Sequence, residues 1–154
     1  MPRREQKYAL DTQLFVSAFR DPTAYAELQG FHLAFAPFEF LAAVVVQELR
    51  IGAFGVHADR LEEHLFRPFE RRGRLITPSY SAWKRAGEAL ARLSQEEGLE
   101  LRAISRGFAN DVLLAATCRE AGVVLVTGNR RDFERISRVL PFDFVDPWPV
   151  RGRP

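Results

Sequence analysis

Short apolar runs in this chain are separated by longer stretches in which apolar residues recur every three or four positions. The first kind of pattern suits buried strands and the second suits amphipathic helices. Tyr8-Ala9-Leu10 predicts a strand ending at Asp11, and Leu14, Phe15, Ala18 and Phe19 predict a helix over Thr12 to Arg20. Asp21-Pro22 has the form of an N-cap followed by a first-turn proline, opening a second helix to about Gly30. Phe31 to Ala36 predicts a strand stopped by Pro37, and Phe38 to about Ala53 a strongly apolar helix interrupted by Glu48. Leu61, Leu65 and Phe69 mark a charged amphipathic helix over Val56 to Arg72. Leu75-Ile76-Thr77 is the next expected strand. After it, Ser79 or Ser81 starts a helix that runs to a stop at Gly98. A helix from about Phe108 to Glu120 ends at Gly122, then come a strand at Val123 to Val126, a helix at Arg131 to Val139 and a strand at Phe142 to Val145.

Strands alternating with helices predict an α/β sandwich, with a mainly parallel central sheet flanked by helices. Sites in such folds form at the carboxyl ends of the strands, which is where Asp11 and Asn129 fall. Asp111 would come from the first turn of a helix and Glu48 from within one. The length, 154 residues, suits one domain with a sizeable core, expected over residues 1–146. Residues 147–154, rich in proline and arginine, are expected to form a flexible tail.

Composition narrows the picture only a little. Hydrophobic residues make up 47% and charged residues 27%, an ordinary globular balance that argues against disorder. The longest apolar run, Phe40 to Val46, is far short of a membrane span, and the charged start gives way to an apolar run too short for a signal peptide. The single cysteine, Cys118, excludes an internal disulfide and a thiolate zinc cluster; it fits a buried thiol in a reduced, cytoplasmic setting. Net charge is +2, so no broad polybasic surface is expected. Lys7 and Lys84 are the only lysines, and the arginines that dominate can grip phosphate with paired hydrogen bonds. Biased codon usage accounts for the arginines equally well.

Four stretches place an acidic or carboxamide residue against an apolar run: Tyr8 to Asp11, Val45 to Leu49, Asn110 to Leu114 and Val124 to Asn129. An isolated ionised carboxylate near a core is costly unless something positive gathers it with others. Hard divalent cations such as Mg²⁺ or Mn²⁺ suit an oxygen-only set, bind few carboxylates and leave positions for substrate. Taken singly, Asp11 and Asn110-Asp111 also fit helix caps, and Glu48 a solvated position. No Gly-x-Ser-x-Gly motif, Cys–His pair or glycine-rich phosphate loop offers another chemistry. His57 and His64, seven apart, have no third ligand beside them and read as surface histidines. Most of the 13 Phe and 2 Trp occupy periodic positions suited to core packing rather than base stacking.

The ordered set of Asp11, Glu48 and Asp111, then Thr127-Gly128-Asn129 and Asp132-Phe133, resembles the PIN-domain nucleases. The contexts Asp11-Thr12-Gln13-Leu14-Phe15 and Glu48-Leu49-x-x-Gly52 resemble the VapC-type branch. That resemblance implies a metal-dependent endoribonuclease using Mg²⁺ or Mn²⁺, the toxin of a toxin–antitoxin pair, with a small antitoxin and a homodimer partner. Asp11, Glu48 and Asp111 would hold metal, Asn129 would assist and Thr127 would steady the acidic centre. Many family members have Asp where Asn129 stands. Arg130 and Arg131 are expected near the RNA phosphate. Asn129 and Asp132 also have capping-box spacing, in which both would support the following helix terminus. A housekeeping RNA-processing nuclease, or a non-catalytic module binding RNA or protein, would share the same fold. A dimer is expected to use the apolar surface of Thr12 to Arg20 and Phe38 to Ala53.

Overall fold

The computed structural model describes residues 5–150. Its strands are β1 (Tyr8–Leu10), β2 (Glu39–Ala42), β3 (Leu75–Ile76), β4 (Val124–Val126) and β5 (Phe144–Val145). They form one five-stranded sheet in the order β3-β2-β1-β4-β5, and every pairing among the described residues is parallel. Parallel neighbours need crossovers, and helices supply them: α1 (Thr12–Arg20), α2 (Pro22–Phe35), α3 (Ala43–Ile51), α4 (Val56–Leu61), α5 (Arg67–Arg71), α6 (Tyr80–Glu97), α7 (Arg106–Ala121) and α8 (Arg130–Val139). A π-helical turn, Glu62–Phe66, joins α4 to α5.

The chain begins in the middle of its sheet. β2 and β3 extend one side of β1, and β4 and β5 extend the other, so the winding direction reverses between β1 and β4. A crevice opens at the carboxyl ends of the strands at such a reversal. Asp11 follows β1 and Thr127 follows β4, so both stand at its mouth. The Asp11 amide donates to the Val126 carbonyl at 3.0 Å, tying the two strand ends together.

The core is continuous across the sheet. Leu10, Leu41, Leu125 and Val126 are fully buried from the strands, with Phe15, Val45, Phe133 and Ile136 packing from the helices. Seven consecutive residues of α7, Val112 to Cys118, are buried. A helix buried on all sides belongs to the interior, and this one carries Asp111 into the protein. Cys118 is fully buried, and its surroundings push the thiol up to about 12.

Most turn and cap signals act as expected. The Asp21 carboxylate accepts from the Ala24 amide, Ser79 caps α6 by accepting from Ala82, and Gly98 and Gly122 end their helices at φ 64° and 67°. Three elements differ. The strand expected over Phe31 to Ala36 is the end of α2, because Leu28, Phe31 and Phe35 recur at helical spacing and the Phe31 and Phe35 rings stack beside Tyr8. Phe31, Leu33 and Phe35 also alternate, and a short apolar run fits both periods. The helix expected over Phe38 to Ala53 opens instead as β2, where pairing with β1 and β3 outweighs helix propensity, and only Ala43–Ile51 is α-helical. Finally, α7 starts at Arg106 with Ser105 as its cap, accepting from Phe108 at 3.0 Å. Asp111 therefore sits in the second turn, and Asn110-Asp111 does not cap the helix. In the segment expected to be a tail, the half-buried Trp148 packs against Phe31 and donates to Glu27 at 2.8 Å. Residues 151–154 lie outside the described residues.

Candidate active site

Asp11 is built into the crevice rather than displayed on it. It is only 6% exposed. One carboxylate oxygen, Oδ1, accepts from the Thr12 amide at 2.8 Å, which is the helix-cap role, and Oδ2 accepts from the Thr127 hydroxyl at 2.7 Å. Burial pushes its pKa up; the Thr127 and Thr12 hydrogen bonds oppose this, and the Glu48 charge adds to it. Cap and site residue are one group here, because each carboxylate oxygen retains a second lone pair.

Thr127 is buried at 1% exposure. Its hydroxyl donates to Asp11 and accepts from the Asn129 amide at 3.0 Å, so it fixes the Asp11 carboxylate against the turn after β4. Thr12 was not singled out in the sequence. Its amide holds Asp11, while its hydroxyl donates to Glu48 Oε1 at 2.8 Å. Thr12 thus links the two acids, reaching Glu48 across 36 positions of chain. Its only sequence signal is a hydroxyl next to a candidate acid, which is far too common to be informative.

Asp111 shows that the acids share one environment. Its pKa is pushed up to about 8, first by burial and then by the charges of Asp11, Glu48 and Asp132. As the side chains stand, no three His, Cys, Asp or Glu residues among those described converge to hold an ion. The donor set nevertheless fits a hard divalent cation: its members are carboxylates, and their charges raise the Asp111 pKa. Beside Asp111, the Asn110 side-chain nitrogen is buried and has no hydrogen-bond partner among the described residues.

The expected capping box does not form. Asn129 precedes α8 but makes no side-chain cap hydrogen bond. Its Nδ2 donates instead to Asp132 Oδ2 at 3.2 Å, and Arg135 approaches the other Asp132 oxygen at 3.7 Å. Amide and carboxylate therefore pair with each other rather than with backbone N–H groups. Arg130 bonds Glu134 at 3.1 Å and Asp146 at 2.7 Å, so carboxylates already occupy its guanidinium. Arg131 is exposed and makes no ion pair among the described residues. His57 and His64 are both exposed. They line a groove of about 830 Å³ bounded by α1, α2, α3 and α4, which reaches Glu48 at the edge of the acidic centre.

Residues 8–139 match the PIN domain family, and the chain belongs to it. No curated protein matches the sequence. Solved structures with the same fold include DNA-bound VapBC from Salmonella typhimurium, at 20% identity and TM-score 0.67, covering 92% of this chain and 98% of that one. FitAB bound to an IR36 DNA fragment aligns at 21% identity and TM-score 0.65, over 94% and 98%. VapBC2 from Rickettsia felis, bound to a fragment of promoter DNA, aligns at 23% and 0.63, over 94% and 100%.

Proposed function

We propose that this protein is a Mg²⁺- or Mn²⁺-dependent endoribonuclease, and the toxin of a toxin–antitoxin pair. What supports the reading is geometric: Asp11 stands buried at the sheet's switch point, bonded to Thr127 and linked through Thr12 to Glu48, and the charges of Asp11, Glu48 and Asp132 all raise the Asp111 pKa. Asp11, Glu48 and Asp111 would hold the cation. When bound, it supplies charge neutralisation at the phosphodiester and lowers the pKa of water for attack. Thr12 and Thr127 hold Asp11 and Glu48 in fixed orientations. Asp132 has the charge and the coupling to Asp111 of a fourth acid, with Asn129 orienting it. Arg131 is the better placed of the two arginines for a phosphate, since Arg130 is already paired.

The antitoxin reading is supported by the fold shared with VapBC and FitAB complexes. It is also supported by the groove at Glu48, which offers Phe15, Val16, Leu28, Leu49, Leu61 and Leu65 to an apolar segment. A cytoplasmic setting belongs to the same proposal; among the described residues no helix is long and apolar enough to cross a membrane. Purified protein should cleave single-stranded RNA with Mn²⁺ or Mg²⁺, and EDTA should stop it. Cleavage that persists in EDTA would remove the metal mechanism. Silencing of that cleavage by the product of an adjacent small gene separates a toxin from a housekeeping nuclease.

We also propose a homodimer. Phe15 and Ala18 of α1 are buried within the chain, but Phe19, Ile51, Phe54 and Val56 remain exposed around α1 and α3. Light scattering should give twice the chain mass. A monomer at high micromolar concentration would count against pairing.

A further inference from the structure

Among the described residues, five aromatic side chains are exposed, Phe19, Tyr25, Phe54, Tyr80 and Trp83, and of these only Tyr80 and Trp83 share one helix. Tyr80 is 82% exposed and Trp83 is 60% exposed, on the first turns of α6. The helix does not need them for its own packing: Ala82, Ala86, Ala89 and Leu93 form its buried face. Residues three apart on a helix are surface neighbours, so the two rings share one side of α6. Lys84 and Arg85 follow directly, both exposed and without an ion pair among the described residues.

Topology decides where this patch lies. α6 begins four residues beyond the end of β3, and β3 runs parallel to β1 and β4. The start of α6 therefore stands at the same edge of the sheet as Asp11 and Thr127. Only β2 separates β3 from β1, a lateral step of two strand spacings, or about 10 Å. Base-stacking rings followed by unpaired cations are the chemistry that holds a single nucleic-acid strand without reading its sequence.

We infer that Tyr80 and Trp83 form a stacking platform for bases of the RNA strand flanking the scissile phosphate, with Lys84 and Arg85 on its backbone. This rests on the endoribonuclease reading above. RNA is favoured over a protein occupant because the patch pairs aromatic rings with cations that make no ion pair among the described residues, and because it begins at the same sheet edge as the acidic crevice. The two residues position substrate and take no part in the chemistry.

The test uses the full-length protein and a fluorescein-labelled single-stranded RNA 12-mer of mixed sequence. Affinity is measured by anisotropy in EDTA, and cleavage kinetics with Mn²⁺. Tyr80→Ala and Trp83→Ala should each weaken binding about tenfold and raise KM with kcat retained, as expected for the loss of one stacked base. Trp83→Phe should restore most of the affinity, because a ring remains to stack, and melting temperatures should not move for such exposed sites. Wild-type cleavage with KM and affinity unchanged in the double alanine variant would overturn this inference and leave the nuclease reading standing. Wild-type protein that neither binds nor cleaves RNA would sink both. A dimer that the double variant splits, with RNA affinity intact, would assign the patch to a second copy of the chain and overturn the inference as well.

Discussion

Asp11→Asn should lower RNA cleavage about 100-fold or more while leaving the protein folded. The carboxylate it removes is the one held on both oxygens, by the Thr12 amide and the Thr127 hydroxyl. Asparagine keeps an acceptor for one of these, and the hydroxyl can turn to meet the amide nitrogen at the other. Burial already disfavours the charge of Asp11, so its loss removes a destabilising element as well as a charge-assisted bond. The net stability change should stay within about 1 kcal/mol. The rise in melting temperature produced by Mn²⁺ should shrink, since that rise measures binding to the folded state. Asp132→Asn, run in the same assay, should have the smaller effect, about tenfold, because Asp132 acts on Asp111 through its charge. Cleavage by the Asp11 variant at the wild-type rate would remove Asp11 from the mechanism.

Without metal, stability should fall as pH rises from about 4 to about 8, and Asp111 should be the main cause. Its pKa is raised from the ordinary 3.8 to about 8, so across that window the folded protein binds a proton that the unfolded chain has released. The stabilisation is complete below about pH 4 and is lost as pH passes through about 8. Asp11 is raised as well and contributes with the same sign. Glu97, lowered mainly by its hydrogen bond to Arg135, contributes oppositely, and only towards acid pH. Asp111→Asn should flatten the profile and stabilise the protein at pH 8 by about 1–2 kcal/mol, a figure discounted for the partial exposure of the site. Mn²⁺ should reverse the trend: ligation needs the deprotonated carboxylate, so the metal-induced rise in melting temperature should grow from pH 6 to pH 8. Urea melts in EDTA at pH 5, 6.5 and 8 provide the check. A variant whose profile tracks the wild type would show that Asp111 is not the responsible group.

Sequence and structure diverge where a local pattern has two solutions. Phe31 to Ala36 satisfies both alternation and helical spacing, and packing of Phe31 and Phe35 against Tyr8 decides for the helix. Glu39–Ala42 lies in a run apolar enough for a helix, but strand β1 needs a parallel partner there. Asn129 and Asp132 have the spacing of a capping box, yet a side-chain amide beside a carboxylate can bond it directly, and here it does. In the first two cases the competing partner is distant in sequence, and in the third both partners lie in one short motif that allows either pairing.

The amino-acid sequence by itself determined the alternation of strands and helices, the caps at Asp21, Ser79, Gly98 and Gly122, and the match of residues 8–139 to one family. Those features depend on backbone preferences and residue order, which act locally or can be read along the chain. Only the tertiary structure decided the order β3-β2-β1-β4-β5 and the crevice it opens between β1 and β4. It alone tied Thr12 to Glu48, turned Asn129 towards Asp132, and brought Asp132 into the field of Asp111. Charge coupling falls off with distance through space, and residues 21 and 100 positions from Asp111 come within its range only when the strands and helices close around the crevice.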